Sequence, residues 1–191
     1  MEIIENNAIK LRVKNPSAVT NAIRKSTILE DGDVLVHWGI KEAQVLKGLG
    51  IDIPSPINTY EWTGKHKPFK HQIKTSSFLT LNKKACCFNE QGTGKTASVI
   101  WASDFLMKQG IIKRVLVVCP LSIMQSAWTQ DLFTFAMHRH ANICYGTRDK
   151  RKQIINSKAE YIVINYDGVE IVEDEIASGG FDLIVVDEAN A

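Results

Sequence analysis

From residue 59 onward, short apolar runs recur between segments of helical period, and this alternation decides the fold class. Arg114–Cys119 (RVLVVC), Tyr161–Asn165 (YIVIN) and Leu183–Val186 (LIVV) are continuous apolar runs of strand length. Asn142–Tyr145 is a weaker run, and Ala85–Asn89 reads as a further short, buried strand. Helical segments lie between them. One covers Lys95–Gln109 and stops at Gly110. A second runs from a cap at Ser122 through Thr134. A third opens at Thr147 or Asp149 and reaches Ser157, and a fourth covers Val169–Ala177 before Gly179-Gly180. Strands apolar on both faces belong in a parallel sheet covered by helices on both sides. Right-handed crossovers then bring the carboxyl ends of all the strands to one edge, where such folds bind ligands.

Residues 1 to about 50 follow a different pattern, that of a small α+β unit. Ala8–Val13 alternates apolar and polar, the strand period. Asn15-Pro16 starts a helix over Ser17–Lys25, with a capping side chain followed by proline at the first helical position. Glu30–Asp33 is a turn, Val34–Trp38 a strand, and Ile40–Leu49 an amphipathic helix stopped by Gly50. Ile51–Asn58 (IDIPSPIN) carries two prolines in three residues and reads as a stiff, extended connector. The expected division is therefore 1–58 and 59–191.

Apolar residues make up 45% and charged residues 23% of the chain, so it is long and apolar enough to bury a core unaided. No apolar run approaches the roughly 18–20 residues of a membrane span, and the first ten residues lack a secretory pattern. The expectation is an intracellular, cytoplasmic protein without a membrane partner. Cys86, Cys87, Cys119 and Cys144 have no metal-binding spacing and read as small, reduced, buried hydrophobes. The net charge of +2 hides an uneven distribution. Six lysines and one acid lie between Thr59 and Lys84; Arg139, Arg148, Lys150, Arg151 and Lys152 form a second cluster; after Lys158 there are nine acids and no Lys or Arg. Such clusters are either solvated faces or phosphate contacts.

The segment Asn89-Glu90-Gln91-Gly92-Thr93-Gly94-Lys95-Thr96 carries the chemistry. Expected after a strand and before a helix, it is a phosphate loop. Gly92 and Gly94 permit close backbone approach, and loop amides with the helix amino terminus face an anion. Lys95 would neutralise the β- and γ-phosphates, and Thr96 would offer a hydroxyl to Mg²⁺. Asn89 stands where the usual pattern has its first glycine. Asp187-Glu188, at the end of LIVV, supplies the complementary acids. Asp187 would hold Mg²⁺, and Glu188 would orient and deprotonate the attacking water.

Together, Gly92–Thr96 and Asp187-Glu188-Ala189-Asn190 resemble motifs I and II of superfamily-two helicases of the DEAD/DEAH-box type. Pro68-Phe69-Lys70-His71-Gln72 resembles the adenine-reading Q motif of the Snf-type branch. Val117-Val118-Cys119-Pro120-Leu121-Ser122 is similar to motif Ia, which touches the nucleic-acid backbone. Ile162–Tyr166 resembles the strand-and-tyrosine element of Snf-type translocases, and Tyr60-Glu61-Trp62 is similar to phage-encoded members. The resemblance covers about residues 59–191. It implies a RecA-like P-loop NTPase lobe that binds ATP and Mg²⁺ and is preceded by the α+β unit. Gln72 and Phe69 would bind adenine, with Gln91 to Thr96 around the phosphates. Lys95, Asp187 and Glu188 would be catalytic. Pro120 and Ser122, joined by the basic residues Arg148, Lys150 and Arg151, would form a nucleic-acid track, for DNA in preference to RNA. The chain departs from the pattern at Asn190, where the family has His or Asp. It also stops at motif II, so the expectation is an incomplete lobe lacking its RecA-like partner and that partner's arginines, weak or inactive alone. A nucleotide-binding module without turnover, and a P-loop enzyme of another kind, are the alternatives left open by the residues.

Overall fold

The structure, a computed structural model, describes residues 1–189. Asn190 lies outside the described residues. The chain divides into two compact units: Met1–Glu61 with Ile73–Phe88, and Trp62–Gln72 with Asn89 onward.

The first unit holds an antiparallel sheet of β1 (Glu2–Ile4), β2 (Ala8–Leu11), β3 (Ser26–Ile28) and β4 (Val34–His37), in the order β1-β2-β4-β3. Register pairs Ile9 with Val36 and Leu11 with Val34, so the apolar alternation of both strands falls on one face. Helices α1 (Pro16–Ala22) and α2 (Ile40–Gly48) contribute Val19, Ala43 and Leu46 to that core. The Asn15 carboxamide caps α1 by accepting from the Ala18 amide at 3.2 Å. The IDIPSPIN segment is not a free connector. Ile53, Ser55 and Ile57 are buried, Pro56–Thr59 forms a 3₁₀ turn, and Trp38 Nε1 donates to the Pro54 carbonyl at 2.9 Å. The segment packs because Ile53 has the apolar core of this unit to enter, which offsets the ordering of a chain already stiffened by proline.

Helix α3 (Lys70–Leu81) carries residues of both units, its portion from Ile73 clustering with residues 1–61. Ser55 Oγ and Thr80 Oγ1 lie 2.8 Å apart, and Gln44 Nε2 donates to the Thr80 carbonyl at 2.9 Å. Downstream, Ala85–Asn89 forms no strand, contrary to the expectation: Phe88 is 90% exposed and Cys86 is exposed. An apolar run becomes a strand only where a neighbour takes its backbone hydrogen bonds, and none of the described strands pairs with it.

The second unit is built on β5 (Val115–Cys119), β6 (Ala141–Cys144), β7 (Tyr161–Asn165) and β8 (Leu183–Val186), parallel in the order β6-β7-β5-β8. Its helices are α4 (Lys95–Lys108), α5 (Gln130–Phe135), α6 (Arg148–Ile155), α7 (Tyr166–Ile171) and α8 (Glu173–Ser178). One sheet face, with Val115, Val117, Cys119, Tyr161 and Val163, packs on Ile100 of α4 and Leu132 of α5. The other, with Leu116, Val118, Ile162 and Ile164, packs on Ile155 of α6 and on Val169 and Ile176. The two inner strands, β5 and β7, are thus covered on both faces and are buried throughout, whereas edge strand β8 leaves Ile184 and Val186 exposed on one face.

Two helical segments differ from the expected ones. Ser122 does not cap a helix; residues Met124–Thr129 are π-helical and run into α5. The wide turn keeps Met124, Trp128 and Leu132 in the core, and Thr129 Oγ1 donates to the Met124 carbonyl five residues back, at 3.0 Å. The segment Val169–Ala177 is split between α7 and α8 by Val172, which is fully buried in a non-helical conformation. Among the described residues no helix is long and apolar enough to cross a membrane.

Candidate nucleotide site

The Asn89–Thr96 loop is wound around its own lysine, Lys95. Gly92 and Gly94 both have φ of +74°, the left-handed region that side chains disfavour. Lys95 Nζ donates to the carbonyls of Asn89 at 2.9 Å and Glu90 at 3.1 Å, and Thr93 Oγ1 donates to the Glu90 carbonyl at 2.8 Å. Asn89 is not among the residues of positive φ, so this position does not require the glycine it lacks. Gly94 is the amino-terminal cap of α4, and its carbonyl accepts from the Ser98 amide and hydroxyl.

The second half of α4 lies over the amino-terminal ends of the strands, since Ser103 Oγ is 2.8 Å from Tyr161 OH at the start of β7. Only the short turn through Gly110 separates Lys108 from the start of β5. Lys95 precedes Ser103 by about 12 Å of helix, and β7 is about 13 Å long. The helix therefore runs antiparallel to β5, with its amino terminus directed toward the carboxyl edge of the sheet.

Asp187 stands at that edge. Its amide continues the ladder to the Val118 carbonyl at 2.9 Å. Its Oδ2 accepts from Trp128 Nε1 at 2.9 Å, its Oδ1 accepts from the Glu188 amide at 3.1 Å, and its carbonyl accepts from Tyr166 OH at 2.7 Å. Glu188 has φ of +51°, so the chain turns there and the exposed glutamate need not point opposite Asp187. Burial, reinforced by the charges of Asp187 and Glu188, pushes the Cys119 thiol at the end of β5 up to about 12. Burial first, then Asp187, also raises the Tyr166 phenol.

Gln72 is 8% exposed and braces the loop. Its Oε1 accepts from the Phe69 amide at 2.9 Å, and its Nε2 donates to the Thr93 carbonyl at 3.2 Å. His71 Nε2 also lies 3.0 Å from that carbonyl, and its ring stacks on exposed Phe69 with centroids 5.7 Å apart. Gln91 is exposed, and Thr96 is half-buried at the start of α4.

The expected track residues are not alike. Ser122 is exposed and Pro120 half-buried just beyond β5; Arg148 and Lys150 are exposed in the first turn of α6. Arg151 is not a surface base, contrary to the expectation: it is 4% exposed, and its guanidinium donates to the carbonyls of Gly146 and Cys144 and to Asn165 Oδ1. Lys152 pairs with Glu175 at 2.6 Å, and Arg139 pairs with buried Asp104 and with Glu160. Trp128, His71 and Tyr166 reach the loop or the acids without having been given a role there by the sequence. For Trp128 the signal was its spacing of four from both Met124 and Leu132, which places an indole donor on the core face.

A family described as Type III restriction enzyme, res subunit, matches residues 61–189. The chain belongs to that family. Among solved structures, the Sulfolobus solfataricus SWI2/SNF2 ATPase core domain is 25% identical, with a TM-score of 0.59 over 66% of this chain and 26% of that one. The same organism's SWI2/SNF2 ATPase core in complex with dsDNA is 25% identical, with a TM-score of 0.50 over 56% and 23%. No curated protein matches. The chain thus spans about a quarter of the length of those ATPase cores. This res-subunit family member has the RecA-like fold of a superfamily-two first lobe.

The oxygen donors suit Mg²⁺. That ion takes one or two protein oxygens and completes its shell with water and phosphate. Asp187 and Thr96 would supply two such oxygens, and among the described residues no cluster of three His, Cys, Asp or Glu side chains forms an all-protein cage.

Proposed function

We propose that this lobe binds ATP with Mg²⁺ and serves an ATP-dependent DNA translocase or helicase. The observation that supports it most is the loop wound around Lys95 at the amino terminus of α4, a helix directed toward the strand ends where Asp187 and Glu188 lie. Lys95 and the loop amides of Gln91 to Thr96 would neutralise the β- and γ-phosphates. Thr96 and Asp187 would hold Mg²⁺, which supplies Lewis-acid stabilisation of phosphate charge when bound. Glu188 would orient the water and take its proton as it attacks the γ-phosphorus in line. Phe69 would lie against adenine; Gln72 would serve it chiefly by holding Thr93, since its amide already bonds within the chain.

Pro120, Ser122, Arg148 and Lys150 follow strands of the same edge and form the proposed DNA track. Movement along DNA would require a second RecA-like lobe bearing arginines, as the resemblance implies. We place the protein in the cytoplasm, where ATP is abundant and thiols stay reduced. The test is titration of ATP and of pyrophosphate, each with Mg²⁺, into wild-type, Lys95→Ala and Gln72→Ala chains. Lys95→Ala should weaken both ligands severely. Gln72→Ala should weaken ATP and pyrophosphate alike, because the bond that it loses is to Thr93 of the phosphate loop. Unchanged ATP affinity in Lys95→Ala would sink the proposal.

A further inference from the structure

Asp187 is fastened by a side chain that phosphate-loop chemistry does not demand. Trp128 is 1% exposed, and its indole N–H reaches Asp187 Oδ2 at 2.9 Å. Indole is a donor only, so the bond can orient a carboxylate but cannot relay a proton. Trp128 comes from the π-helical stretch Met124–Thr129, and such turns are frequent at functional sites. Tyr166 fixes the Asp187 backbone and the Glu188 amide takes the other carboxylate oxygen, whereas Trp128 ties the side chain to the opposite, α4-covered core. Metal-ligating carboxylates are themselves hydrogen-bonded, and such outer partners set the ligand's direction.

We propose that Trp128 is a positioning residue that orients Asp187 toward Mg²⁺. The inference rests on Asp187 being the metal ligand of the proposed function. Its signature is selective: losing the indole N–H should weaken the contribution of Mg²⁺ to ATP binding, while metal-free ATP binding through Lys95 and the loop amides stays unchanged.

The experiment measures ATP affinity of the full 191-residue chain by calorimetry, with Mg²⁺ and with EDTA. Trp128→Phe removes packing and bond together. The decisive variant therefore places benzothienylalanine at 128, an isostere with sulfur in place of N–H, introduced by amber suppression. The expected result is a Mg²⁺-dependent gain in affinity reduced about ten-fold or more, with EDTA affinity and melting temperature as in the wild type. A full Mg²⁺ gain in the isostere overturns the inference. Asp187→Asn separates the two levels: it should abolish the gain. If it abolishes the gain and the isostere does not, only the role of Trp128 fails. If Asp187→Asn keeps the gain, the assignment of Asp187 as ligand fails and the inference with it.

Discussion

Replacing Arg151 by alanine separates two uses of a basic side chain in a single helical turn. Arg151 donates to the Cys144 carbonyl at 2.7 Å, the Gly146 carbonyl at 3.0 Å and Asn165 Oδ1 at 3.2 Å, and its guanidinium lies 5.4 Å from the Tyr145 ring centroid. It thereby clasps the carboxyl ends of β6 and β7. Each bond contributes about 1 kcal/mol net, and a buried acceptor left unsatisfied costs about 1–3 kcal/mol more. Relief from burying the charge offsets part of this. The expected loss is about 3 kcal/mol, a fall in melting temperature of roughly 6–12 °C for a chain of this length. Lys150→Ala, one residue away and exposed, should change stability by less than about 0.5 kcal/mol. If it lies on the DNA track, it should lower the slope of log affinity against log salt by about 1. Circular-dichroism melts and DNA anisotropy titrations at several salt concentrations read both effects. A melting temperature for Arg151→Ala within about 1 °C of wild type, together with a reduced salt slope, would refute the structural role and return Arg151 to the track.

Two further outcomes follow from the loop and the strand edge. Gly94→Ala should fold less stably by about 1–2 kcal/mol, because its φ of +74° is left-handed. Its Cβ would also overlap Gln72 Nε2, so ATP affinity should fall together with the melting temperature in a thermal-shift assay. Cysteine labelling by maleimide at pH 7–9 should modify exposed Cys86 in the native chain and spare Cys119. With its pKa raised to about 12, Cys119 forms thiolate only as pH approaches that value, so peptide mapping that finds it labelled below pH 9 would contradict its described burial.

Where a residue's conformation is set by its near neighbours, the sequence was readable. Strands β7 and β8 begin and end where YIVIN and LIVV do, and Asn15 and Thr147 cap the helices expected of them. What escaped depends on distant partners. Strands β1 and β3 are three residues each and largely exposed, defined only by their pairing with β2 and β4. Ala85–Asn89 has strand composition and no pairing strand among those described. Charge counting could not tell Arg151 from Arg148, although Arg151 and Ile155, four apart, share the buried face of α6. The loop and its two acids form a motif in the sequence because the proposed phosphate chemistry would dictate their types. The bracing by Gln72 and Trp128 was not, since hydrogen bonds between distant segments leave no local pattern.

The position of β5 between β7 and β8 has a consequence for how the protein is made. The central strand pairs Val115 with Tyr161 on one side and with Leu183 on the other, residues about 45 and about 70 positions later. Synthesis at roughly 5–20 residues per second leaves about 4–14 s between the appearance of β5 and that of β8. During that interval Leu116 and Val118 lack first both and then one of their flanking strands, and α4 has only part of the sheet to settle on. Biogenesis of this lobe should therefore be slow and sensitive to chaperone supply, even if the finished sheet is stable.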